Sequence, residues 1–432
     1  MNITILYLVS GCIEPFEFES REVNNILIVE ATLTDVLSNQ KVLLGRAANL
    51  ENVNIEDYKN NVNTSSTPES SEVDTRVPES DARIVIVDDV GNEYTFSESE
   101  AGIYESEIAF ATEIGRSYQL QVTTSNSVFY SSDFREAQGK SNIENLYAER
   151  IFNDVGEEGM AIYVDGTDQT NSINYFRYTY EETYKIIAPN WTSREFEILR
   201  EELEFDEEFN PLYPAVKLIF REQEEQVCYK TVNSTDINLI STDLLNESRV
   251  EGKIIRFINR INPILSHRYS VLVKQYAISD DTNSYYQILE SFSKSENVFS
   301  EIQPGFLEGN ILADDEENVV IGFFDVSSVA EKRLYFDYDE FFPNEELPPY
   351  FFDVNCSRRL SPPIGDPELD GPPSPYGPCP EPLISRILRE TIEFTAVNGA
   401  PDICEGPHYV TPRICGDCTT LGSNIKPEFW ID

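Results

Sequence analysis

Between residues 83 and 130 the chain repeats one motif, a short run of alternating or continuous apolar residues followed by a polar turn. Arg83 to Val87 reads as a strand. Asp88-Asp89-Val90-Gly91-Asn92 turns it, with Gly and Asn where positive φ is cheap, and Glu93 to Ser97 returns. Ala101-Gly102 leads into Ile103 to Ile108. Ser117 to Thr124 alternates Tyr118, Leu120 and Val122, and Ser125-Asn126 turns it into Ser127 to Tyr130. Short strands at regular spacing with polar turns indicate a β-sandwich. The composition agrees: 23 Tyr and 25 Phe against 2 Met suit pleated, half-buried strands.

The same reading extends along the 432 residues, too many for one sandwich. Asn25 to Asp35 is an apolar run fit for a core strand. Residues 50–80, rich in Asn, Ser, Glu and Thr, read as a long excursion. Residues 136–145 read as a linker, with strands resuming at Leu146. Asn174 to Tyr184 places Phe176, Tyr178 and Tyr180 on one face and Tyr175, Arg177 and Thr179 on the other. That aromatic stripe reads as core first and as a sugar-stacking surface second. Residues 193–224 form an acidic insertion, hairpin or helix. Arg268 to Ile278, Val319 to Asp325 and Ala330 to Tyr338 are further strands. One helix is expected over 281–293, capped by Asp280 or Asp281, with Tyr285, Ile288, Leu289 and Phe292 on one face. Asp314-Asp315-Glu316-Glu317 reads as a solvated hairpin tip; its spacing does not fit the EF-hand loop.

Residues 343–382 hold twelve of the 24 prolines and cannot supply a central strand. The expected architecture is mainly β: an N-terminal sandwich at 25–137, a second Ig-like sandwich at 138–342 with the helix, and a disulfide-linked, proline-rich region at 343–432. Six cysteines serve it: Cys228, Cys356, Cys379, Cys404, Cys415 and Cys418. Six cysteines allow 15 pairings, so the connectivity stays open. For Cys415-Gly416-Asp417-Cys418, structural disulfides rank ahead of a zinc site recruiting Cys404 and His408, and a redox pair comes last.

Charge narrows the partners. With 77 acidic and 32 basic residues the formal net charge is -45, which repels a phosphate backbone and argues against nucleic acid. Histidine-based chemistry has only His267 and His408 to draw on. No GxSxG, HExxH or phosphate-binding glycine loop is present. No catalytic residue, metal site or cofactor is assigned.

Ile3 to Val9 is a short apolar run, and Leu8-Val9-Ser10-Gly11-Cys12 resembles a bacterial lipobox, in which the cysteine thiol receives fatty acid. Residues 1–11 are then a signal peptide, shorter than usual and without a cationic start, as if the true start lay upstream. Residues 12–24 are a tether. The acidic stretch after Cys12 resembles a surface-export signal of Bacteroidetes-type lipoproteins.

Three stretches carry a wider resemblance. They are Cys12 and Pro15 with Ile28-Val29-Glu30-Ala31-Thr32-Leu33-Thr34-Asp35; Leu272-Val273-Lys274-Gln275-Tyr276-Ala277-Ile278-Ser279 running into Tyr285-Tyr286; and Cys415, Cys418 and Asn424-Ile425-Lys426-Pro427-Glu428-Phe429-Trp430. Together these resemble the outer-membrane lipoproteins grouped as domain of unknown function forty-two forty-nine. The resemblance implies an anchor at Cys12, an outer-membrane, cell-surface location and a TonB-dependent receptor as partner. It implies no ligand. The expected role is a non-catalytic accessory of such a receptor in nutrient uptake. The alternatives are an adhesive or structural surface module and a glycan hydrolase acting through paired carboxylates.

Overall fold

The computed structural model describes residues 26–47, 76–293, 309–315 and 317–432. Cys12, the signal and tether segments, most of the 50–80 excursion and Glu316 lie outside the described residues.

The chain is mainly β. Leu27–Thr34 buries every second side chain, with Leu27, Val29, Ala31 and Leu33 turned into the first core. Arg83–Asp88 and Ser117–Thr123 pair in antiparallel register, and Ile84, Ile86, Leu120 and Val122 meet that same core. In the second module two sheets face each other. One comprises Ser141–Phe152, Glu158–Asp168 and Arg249–Asn259. The other is centred on Tyr175–Ile187 and Tyr269–Ile278. Met160, Ile162 and Val164 from the first pack with Phe176, Tyr178, Val271 and Val273 from the second. The stripe Phe176, Tyr178, Tyr180 is therefore core.

The two modules share a strand. Val320–Phe336 runs on where the sequence suggested two separate strands. Its residues 320–327 pair in parallel with Leu27–Thr34, and residues 328–336 pair antiparallel with Tyr269–Ile278. Ser327 and Ser328 look like a break in the alternation but are buried and satisfied. Ser327 donates to Asp325, and Ser328 Oγ donates to Asp35 Oδ2 at 2.8 Å. One hydrogen-bonded sheet consequently passes from module to module, and by pairing this strand and Ile311–Ala313 serve the first module from beyond residue 138. For a similar reason the first strand of the second module begins at Ser141 rather than Leu146: buried Ser141 donates to the Gln275 carbonyl at 2.8 Å, a polar residue doing a core residue's job.

Gly322 sits in this shared strand opposite Val29. A Cβ there would lie 2.3 Å from the Val29 carbonyl oxygen, a backbone atom that cannot move aside. Gly322→Ala is expected to lower stability by about 2 kcal/mol, read as a lower urea midpoint.

The acidic insertion is a hairpin, Arg194–Arg200 paired with Ala215–Phe220. Its Phe196, Ile198 and Val216 cover the small C-terminal core of Ile364, Leu383, Ile384 and Val410. Leu383–Leu388 is helical, and Ile392–Val397 joins a three-stranded sheet with Arg359–Leu360 and His408–Pro412. Disulfides fasten the region. Cys228 bonds Cys418, Cys356 bonds Cys415, and Cys379 bonds Cys404, so the CxxC pair reaches two different partners. The chain end returns to the second module, where Trp430 packs edge-on to Tyr229 and Arg333 lies over the Phe429 ring at 3.7 Å.

His408 is half-buried between the Phe196 and Phe394 rings, and its Nδ1 has no hydrogen-bond partner. Burial pushes its pKa down to about 4. Unfolding frees the imidazole to take a proton, so the contribution is intact above the unfolded pKa of about 6.5 and is lost as pH falls toward 4. Because the ring keeps some solvent, the loss should be on the order of 1 kcal/mol. His408→Phe should flatten this part of the stability–pH curve, measured by urea unfolding at a series of pH values.

Candidate functional site

The helix Asp280–Ser293 lies across the seam between the modules. Its start is held from both sides. Thr282 Oγ1 donates to Asp325 Oδ1 on the shared strand at 2.7 Å. Arg135, from the first module, reaches Asp281 at 2.9 Å and Ser279 Oγ at 2.7 Å. Because Thr282 and Asn283 are spent inward, the buried face is turned from the expected one. Tyr285 is buried, but Ile288 is 44% exposed. The Phe292 side chain lies outside the described residues.

Beneath the helix is a cleft of about 500 Å³, walled by Ile28 and Glu30 of the first module, Phe323 of the shared strand, and residues of the second module. The continuous apolar run near residue 28 now has its reason. Leu27 and Val29 face the core, while Ile28 faces the cleft.

Arg177 is the central group. It stands on Tyr175–Ile187, on the face opposite Phe176 and Tyr178, and in register with Tyr276 on the neighbouring strand. Its guanidinium carbon lies 4.4 Å from the Tyr276 ring centroid and 4.7 Å from that of Tyr286 on the helix. Strand register supplies one ring and the docked helix the other. Each such contact stabilises by roughly 0.5–2 kcal/mol, depending on desolvation. The Arg177 Nε is buried and has no hydrogen-bond partner. Tyr285 stacks at a tilt on Phe323, with centroids 5.0 Å apart. Burial pushes the Tyr285 hydroxyl up to about 12, and Tyr286 is shifted upward for the same reason. Both phenols are therefore neutral donors at physiological pH. Asp236 and Lys41 also border the cleft, with Lys41 paired to Glu105 at 2.8 Å. This arrangement can grip a flat or apolar body between rings and present N–H donors to an acceptor.

Of the residues singled out from the sequence, the six cysteines are brought together in pairs, away from the cleft lining. Cys12 lies outside the described residues. His267 and His408 do not line the cleft, and burial lowers the pKa of both. Arg177 was placed on its face by the sequence but not recognised as a site. A cation set among the tyrosines of an aromatic strand in an acidic chain was the available signal.

Fold and cleft together define a class: a mainly-β, two-module protein with an aromatic-walled cleft where the modules meet. Residues 13–333 match the family described as Domain of unknown function (DUF4249), and the chain belongs to that family. The match stops short of the proline- and cystine-rich region. No curated protein matches this chain.

Proposed function

We propose that this protein is a lipid-anchored component of the outer-membrane surface that binds a ligand in the junction cleft and works beside a TonB-dependent receptor, without catalysis of its own. The observation that carries the binding reading is Arg177, a half-buried cation packed on two tyrosine rings with a buried, unsatisfied Nε donor. Such an arrangement costs stability unless something occupies it. The compartment reading rests on Leu8-Val9-Ser10-Gly11-Cys12, which supplies the acylation site. Three disulfides are in keeping with an oxidising location. The receptor partner is what the family resemblance implies.

The anchor is tested by growing cells on labelled palmitate. Label should enter the wild-type chain, fractionate with outer membrane, and disappear in Cys12→Ala. An unlabelled wild-type chain recovered from the cytosol would remove the compartment reading altogether.

A further inference from the structure

We infer that the junction cleft recognises a carboxylate, that Arg177 is the residue that reads it, and that the ligand carries this carboxylate on a flat or apolar body. The inference rests on the proposal that the cleft is a ligand site and adds the chemistry of what enters.

The chain has 77 carboxylates for 32 Lys and Arg, yet Arg83, Arg194, Arg358, Arg359 and Arg386, like Arg177, make no ion pair among the described residues; of these, Arg177 is the one with a buried, unpartnered donor. Neighbouring arginines of the second module do pair. Arg150 pairs with Glu158 and Glu345, Arg256 with Glu182, Arg268 with Asp337 and Arg333 with Glu181. Arg177 has no ion pair among the described residues; its contacts are the two tyrosine rings. Both rings pack on the guanidinium, 4.4 and 4.7 Å from its carbon, and rings bond a cation through their faces, not through its in-plane N–H groups. In-plane N–H donors of a guanidinium match the two oxygens of a carboxylate. Burial of Nε without a partner leaves an unmet donor, whose cost an incoming acceptor would offset.

Charge selects among acceptors. Glu30 and Asp236 border the same cleft, and Lys41 is already paired. A single guanidinium balances a monoanion. A dianionic phosphate would bring a second negative charge toward Asp236 with no second free cation in the cleft lining to meet it. A neutral sugar could stack on Tyr276 or Tyr286 but would offer the fork no charged partner. The apolar walls, Ile28, Leu289, Ile321 and Phe323, suit the body that bears the carboxylate.

The test uses the folded full chain with its arginine side chains labelled, and three probes of one shape: benzoate, benzamide and phenyl phosphate. Benzoate should shift the Arg177 Nε–H resonance saturably and bind roughly tenfold or more tightly than either of the others. Arg177→Gln should lose that preference, and Tyr286→Leu should weaken benzoate binding while leaving the fold intact by circular dichroism. Equal binding of benzoate and benzamide would leave a binding cleft but overturn the carboxylate assignment. Unchanged benzoate binding in Arg177→Gln would do the same. No shift at Arg177 with any probe, a result that needs no variant to fold, would overturn both the assignment and the cleft's role as a ligand site. The anchor and the receptor are read separately, by palmitate label and co-purification.

Discussion

Replacing Cys228 and Cys418 together by alanine should lower stability by about 5 kcal/mol and free the C-terminal region from the second module. The two residues are 190 apart in sequence, and both are fully buried. In the chain-entropy view, closing so long a loop restricts the unfolded ensemble more than a short one does. The region that the bond fastens has little core of its own, centred on Ile364, Leu383, Ile384 and Val410. A thin core of that kind depends on staples. Cys379 and Cys404, only 25 apart, should cost about 3 kcal/mol when replaced in the same way. Urea unfolding gives the two losses. Limited proteolysis within 343–382 should accelerate for the first pair. Equal losses for both pairs would mean that local packing, not loop closure, sets the effect.

Asp168→Ala should be nearly as damaging, at about 4 kcal/mol. This carboxylate sits at the end of Glu158–Asp168, 4% exposed, and organises the turn that follows and the linker that precedes the second module. It accepts from the amides of Lys140, Thr170, Ser172 and Ile173, the last two at 2.8 and 3.0 Å. Alanine would leave these donors unmet, each at a cost of about 1–3 kcal/mol when buried. Burial works to raise the Asp168 pKa, but the amide donors outweigh it and hold the carboxyl below its usual range. A depressed folded pKa contributes stability above the unfolded value of about 4 and loses it as pH falls through the folded one. Wild type should therefore lose stability below about pH 4 more steeply than Asp168→Ala. Parallel acid curves for the two proteins would show that the carboxylate does not have this role.

The sequence showed faces better than neighbours. Alternation alone put Phe176, Tyr178 and Tyr180 inward and Arg177 outward, because a strand's two faces follow from a period of two. It also gave the mainly-β class, the helix and the six bonded cysteines. What it missed depends on pairing across long separations. Nothing local says that Tyr276 lies beside Arg177, or that Tyr286 closes over it; both need strand register and a docked helix. The shared strand was read as two because Ser327 and Ser328 are buried polar residues, the first satisfied by Asp325 on the same strand and the second by Asp35, far away in sequence. The hairpin at 194–220 looked like an exposed acidic insertion, yet it buries Phe196 against His408 and Phe394. Disulfide connectivity was beyond reach for the same reason, since spacing does not fix which cysteine meets which.

The proposal that this chain works by attachment, to a membrane at Cys12 and to a receptor beside it, is tested most directly by purifying the tagged full-length protein from outer membranes solubilised in mild detergent. A TonB-dependent barrel should co-purify in stoichiometric amount and be lost from the Cys12→Ala preparation. Recovery of the acylated protein with no outer-membrane barrel attached would contradict it.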